Sequence, residues 1–277
     1  MSKISRSTPH RPDLYTGSMP PLLSFRALSF DCYGTLIDWE RGLRLALAPL
    51  AARAETSIHP DEVLARFAVE EHGIQRMHPT MPYDRVLAAT HGALARVWNA
   101  PATNEEHEAF ADSLGTWPPF PDSHEALARL GHRFHVAILS NVTRHGIQQS
   151  AELLGTRFDT ILTAEDIGSY KPDPRNFQAL LAHLDREHGI QPGELLHVAQ
   201  SQFHDIVPAT LLGLATAWID RQDLDRGGSF SATKAPEHLA RPTWLFRSLA
   251  ELADAVDAEA LQACAPNLGS PDSGEPA

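Results

Sequence analysis

Short apolar runs alternate with stretches of helical periodicity, above all in the second half of the chain, and no other feature restricts the fold as much. The runs are residues 25–30, 135–139, 160–162, 195–199 and 215–219. Each is brief and mostly apolar, as a strand buried on both faces must be when crossover helices cover both sides of a parallel sheet. The helical patterns between them have recognisable ends. Residues 175–188 follow Pro174 and stop at Gly189, and residues 147–154 stop at Gly155, the usual asymmetry of helix termini. The sequence therefore predicts an α/β fold with a Rossmann-like parallel-sheet core.

Between Trp39 and Trp117 the pattern changes. Leu- and Ala-rich helical stretches such as 43–52 and 86–98 appear there without any strand signal, which predicts an inserted helical cap. The expected organisation is a core of residues 23–40 and 118–262 around a cap of residues 41–117. The run Trp117-Pro118-Pro119-Phe120-Pro121-Asp122 reads as a stiff return linker, since proline restricts the backbone on both sides of itself. Residues 1–22 and 263–277 lack periodicity and read as poorly ordered tails.

At 277 residues the chain has room for one sizeable domain plus such an insertion. A formal net charge of -12 argues against nucleic acid, whose recognition leans on clustered Lys and Arg. Cys32 and Cys264 are the only cysteines, and their separation suits neither a disulfide framework nor a zinc site. No apolar run reaches the length of a membrane span, and the first residues carry no hydrophobic signal core, so the expected location is the cytoplasm. The fifteen histidines do not fall into a metal-ligand spacing; His132, His135, His183 and His188 read as surface residues.

Ligands of open parallel sheets gather beyond the carboxyl ends of the strands, so the polar residues that follow each run are the candidates for chemistry. After the first run come Asp31-Cys32-Tyr33-Gly34-Thr35-Leu36, and after the second Ser140-Asn141. The third leads to Tyr170-Lys171-Pro172-Asp173-Pro174, and the fourth to His204-Asp205. Any one of these is ordinary: a lone Asp at a strand end is usually a turn former, and a Lys before Pro is usually a solvated loop cation. Together they place an acid, a hydroxyl, an amine and a second acid at one sheet edge. Cys32, one residue on from Asp31, is expected on the opposite face as a small buried hydrophobe.

The Asp-x-x-Gly-Thr-Leu opening, the Ser-Asn strand end, the Lys-Pro-x-Pro loop and the late Asp resemble the haloacid dehalogenase-like hydrolase superfamily, over roughly residues 24–244. With Tyr33 two residues after Asp31, the opening looks like the 2-haloacid dehalogenase branch, whereas the phosphatases usually carry a second Asp there. The difference has a chemical reason. A leaving alkoxide needs a proton from that second acid, and a departing halide does not. Gln200 also stands near where many phosphatases have an acid, so a metal site would be thin and no metal or other cofactor is expected.

The resemblance implies that Asp31 attacks the carbon bearing the halogen and that water then hydrolyses the resulting ester. Lys171 would lower the pKa of Asp31, Thr35 and Ser140 would donate hydrogen bonds to carboxylates, and Asp205 would orient Lys171 or activate water. The implied substrate is a small anionic organic molecule met by Tyr33, Asn141 and His204, with Arg66, Arg76 and Tyr83 reaching it from the cap. Arg66 is the candidate for the arginine that receives the halide in the family. The segment Ser201-Gln202-Phe203-His204-Asp205 keeps the family's spacing but has Gln202 where the family has Asn. The same attack could open a strained ring amine or a carbon–fluorine bond. A Mg²⁺-dependent phosphatase and a non-catalytic binding protein are the alternatives, and a homodimer is the expected assembly.

Overall fold

The structure is a computed structural model that describes residues 19–230 and 234–264. Most of the expected N-terminal tail and nearly all of the expected C-terminal one lie outside the described residues. Leu22, assigned to the first tail, is buried, and helix α10 (Leu249–Cys264) runs to the start of the second.

Six parallel strands form one sheet in the order β3-β2-β1-β4-β5-β6. They are β1 (Ala27–Phe30), β2 (His135–Ser140), β3 (Thr160–Thr163), β4 (Leu195–Ala199), β5 (Ala215–Ile219) and β6 (Trp244–Phe246). Five correspond to the predicted runs. The sixth was not anticipated, because three residues are too few to show a period. β1 starts later than predicted: Phe25 lies before it and packs edge-on against Trp244 at 5.6 Å between ring centroids.

The period of two along the strands sorts side chains onto two faces. Leu28, Phe30, Val136 and Ile138 join one core with Leu127 of α5 (Ser123–Gly131) and Leu252 and Val256 of α10. Ala27, Ala137 and Leu139 join a second core with Phe177, Leu180 and Leu184 of α8 (Arg175–His188). Cys32 packs with the first set, on the face opposite Asp31 as predicted, and burial pushes its thiol pKa up. The remaining core helices are α6 (Arg144–Leu154), α7 (Ala164–Ile167) and α9 (Val207–Leu211).

Four helices occupy the stretch read as a cap: α1 (Trp39–Ala51), α2 (Pro60–Met77), α3 (Tyr83–Val97) and α4 (Asn104–Asp112). Their starts are written locally. The Asp38 side chain accepts from Arg41 N, Pro60 opens α2, and Thr103 and Glu106 form a reciprocal capping box. Leu47, Leu64, Phe67, Leu87 and Phe110 bury their inner faces. The two chain segments joining cap to core run side by side: Asp38 N donates to Pro118 O at 2.8 Å, and Phe120 N donates to Leu36 O at 3.0 Å.

β1 lies between β2 and β4, where the strand order reverses. Its carboxyl end is therefore the switch point at which an open sheet leaves a crevice.

Candidate active site

Asp31 follows β1 directly and its backbone N–H donates to Val198 O at 3.1 Å, so the sheet itself fixes its position. Gly34, three residues on, has φ +98°, a conformation that disfavours a Cβ, and turns the chain back so that its N–H meets Ile37 O at 2.8 Å. This turn brings Thr35 Oγ1 under the Asp31 carboxylate, to which it donates at 2.8 Å while accepting from Gln200 N at 2.9 Å.

Lys171 is fully buried and its ammonium has three acceptors: Asp31 Oδ1 at 2.9 Å, Asp205 Oδ1 at 2.5 Å and Leu139 O at 2.9 Å. Asn141 holds the loop that carries it, accepting from Lys171 N at 2.7 Å and donating to Lys171 O at 3.0 Å. Asn141 thus lines the cavity and also positions Lys171. Asp205 is presented by a tight turn, 202–206, whose start is capped by Ser201. A residue absent from the sequence reading completes the arrangement. His197 of β4, fully buried, contacts Asp205 Oδ1 at 3.1 Å through Nε2 and Ser29 Oγ at 2.8 Å through Nδ1. The available signal is an imidazole within an otherwise apolar strand.

The electrostatics follow from this packing. Burial would lower the Lys171 pKa, but Asp205 and Asp31 outweigh it and push it up, so the side chain is an ammonium ion. Burial opposes ionisation of Asp205 too, yet Lys171 and His197 hold it below its ordinary 3.8. For Asp31 the balance goes the other way. Burial raises its pKa, and although Lys171 opposes this, Asp205 adds to the rise. Lys171 acts on Asp31 in the expected, lowering direction, but burial outweighs it and the net shift is upward.

A cavity of about 130 Å³ opens over Asp31. Tyr33, Ser140, Asn141, Lys171, His204 and Asp205 line it from the core, and Tyr83 lines it from the cap. Ser140 Oγ is buried without a partner, as is Asp205 Oδ2. The Tyr33 hydroxyl is engaged with Ser150 Oγ at 2.8 Å, its ring stands edge-on to Trp117, and burial pushes its pKa up. His204 Nδ1 lies 3.2 Å from Ser201 Oγ, and burial lowers its pKa to about 4, which makes it a neutral imidazole.

Arg66 and Arg76 are not among the residues that line this cavity. Arg66, half-buried, pairs with Glu70 at 2.6 Å, and Arg76 is exposed. The stripe of α2 that faces the cavity consists of Phe67, Ala68, Glu71, His72 and Gln75, joined by Trp39, Trp117 and, at the rim, Lys234.

Magnesium is the metal that phosphatase chemistry would require here. Among the described residues no group of three or more His, Cys, Asp or Glu side chains is arranged to hold a metal ion. Mg²⁺ is usually held by one or two carboxylates with waters and phosphate oxygens, and the two carboxylates at hand, Asp31 and Asp205, share the Lys171 ammonium.

The family model for haloacid dehalogenase-like hydrolases matches residues 25–202. The chain is 28% identical over 204 residues to (S)-2-haloacid dehalogenase 4A of Burkholderia cepacia, covering 72% of this chain and 84% of that protein. A shorter stretch of 137 residues is 30% identical to a phosphoserine phosphatase of Thermus thermophilus, covering 47% and 52%. The L-2-haloacid dehalogenase of Xanthobacter autotrophicus shares the fold, with a TM-score of 0.68 and 19% identity over 84% of this chain and 98% of that one. With the family model spanning the Asp31 turn, the lysine loop and the strand that leads to Asp205, the chain belongs to the haloacid dehalogenase-like hydrolases.

Proposed function

We propose that this hydrolase opens a carbon–halogen bond of a small 2-halo carboxylic acid through an ester of Asp31. The observation that carries the reading is Tyr33, rather than a second acid, two residues after an Asp31 that is held by Lys171 and Thr35. A phosphatase would draw the proton for its leaving alkoxide from an acid at the place that Tyr33 occupies. The similarity to the Burkholderia dehalogenase over most of both chains supports the same reading.

In the first step an Asp31 oxygen attacks the carbon and the halogen departs with the bonding pair. Lys171 and Thr35 each hold one carboxylate oxygen, so the nucleophile is aimed before substrate arrives. The unpartnered Ser140 hydroxyl offers a hydrogen bond to a substrate carboxylate at the cavity wall. In the second step water attacks the Asp31 carbonyl carbon and the hydroxy acid leaves. Asp205 Oδ2, buried without a partner, is available to accept the proton of that water. A cavity of about 130 Å³ over Asp31 has room for a short acid.

The reading includes no required metal and a cytoplasmic homodimer. Its test is halide release from a panel of short 2-halo acids, with and without exhaustive chelation. Release that chelation leaves unchanged is the expected result. Turnover of phosphate monoesters alone, and only with Mg²⁺, would contradict it.

A further inference from the structure

The cap contributes an acid, rather than a cation, to the cavity. Arg66 and Arg76 are outside the lining, the inward face of α2 presents Glu71, and neither α2 nor α3 adds a Lys or Arg to the lining. The surroundings of Glu71 are aromatic, Phe67 lying one turn earlier on the same stripe and Tyr83 facing it from α3. Gln75 Nε2 donates to Glu71 Oε1 at 2.5 Å, and the Tyr83 hydroxyl forms a second hydrogen bond to the carboxyl, so the group is held in one orientation. The titratable and charged groups around it are Tyr83 of α3, Tyr170 beside Lys171, His72 and Lys234 at the rim, and His204 and the Asp31–Lys171–Asp205 set across the cavity. An ionised carboxylate in this place would repel a departing anion, whereas a protonated one would donate to it.

We propose that Glu71 is a catalytic acid that donates its carboxyl hydrogen to the leaving atom, so that the site favours leaving groups more basic than chloride, with fluoride as the example among the halides. This rests on the carbon-centred reading of Asp31 and adds the class of leaving group to it. As Asp31 bonds to carbon, the carbon–fluorine pair goes to fluorine, which receives the hydrogen of Glu71 as a hydrogen bond or outright. Hydrolysis of the Asp31 ester releases one proton, which restores the Glu71 carboxyl. The sum is substrate plus water giving hydroxy acid plus hydrogen halide. Burial pushes the Glu71 pKa up to about 7, so the acid form is available at neutral pH and is lost as pH rises through that value.

The test compares 2-fluoro and 2-chloro forms of one short acid in single turnovers of the full-length protein, reading both halide release and the mass of the peptide that contains Asp31. In Glu71→Gln and Glu71→Leu the fluoride-to-chloride rate ratio is expected to fall by about 10², the ordinary size of general-acid assistance. In the unsubstituted protein that ratio is expected to fall as pH rises through about 7. A ratio unchanged in both variants would overturn the assignment and would mean that Glu71 only supports the cap, even if both rates dropped together. An ester on Asp31 in the unsubstituted protein, with an unchanged ratio in the variants, would refute Glu71 alone. No ester with either acid would refute the carbon-centred reading and this inference with it.

Discussion

At the scale of single residues, each hydrogen of the Lys171 ammonium has an acceptor inside the site. Lys171→Met would leave Asp31 and Asp205 buried with no cation between them. Breaking a buried pair in this way costs about 3–5 kcal/mol unless one acid takes up a proton. The variant is therefore expected to lose turnover by on the order of 10³ and to acquire a distinctive pH dependence. With a carboxyl pKa raised in the folded state, the fold binds more protons than the unfolded chain does. Its stability should then fall as pH rises above the unfolded carboxylate value of about 4. Denaturation at several pH values checks this, and a variant no less stable at the upper end than at the lower would contradict it. Asp31, Thr35, Ser140, Lys171 and Asp205 are legible in the sequence because each follows a strand or strand-like run. Glu71 and Arg66 are not. An offset from Asp31 locates a turn of helix, but at 3.6 residues per turn the neighbours Arg66 and Phe67 face directions about 100° apart, and only packing decides which one looks inward.

At the scale of elements, the contact between α1 and the return segment couples the cap to the site. A Cβ built on Gly42 would lie 2.3 Å from Trp117 Cγ, and Trp117 both lines the cavity and stacks edge-on against Tyr33. Gly→Ala inside a helix normally stabilises by about 1 kcal/mol. Here the overlap is with a rigid ring that is 2% exposed and has nowhere to move, so Gly42→Ala is expected to destabilise by about 1–3 kcal/mol. Thermal or chemical unfolding measures it, and a more stable variant would show that α1 can shift freely against the core. The elements that the sequence predicts well are those with local signals: proline-led starts, glycine-ended helices and apolar runs. β6 escapes because its three residues take their conformation from pairing with Ala217, Trp218 and Ile219 of β5.

At the scale of the whole molecule, the division into a sheet core and a helical insertion is legible because the two parts follow different periods. What the sequence does not disclose is how the parts meet: the paired linkers, the cavity between α2 and the strand ends, and the buried chain from Lys171 through Asp205 and His197 to Ser29. These depend on residues far apart in the chain, which no local pattern connects. Covalent attachment of Asp31 to substrate carbon is decided by one turnover of a 2-halo acid in heavy-oxygen water with enzyme in excess. If water attacks an ester at the Asp31 carbonyl, the label appears in the Asp31 carboxylate and the product hydroxyl carries ordinary oxygen. Label in the product hydroxyl, with the peptide containing Asp31 unlabelled, would mean that water attacks the substrate directly and that no Asp31 ester forms.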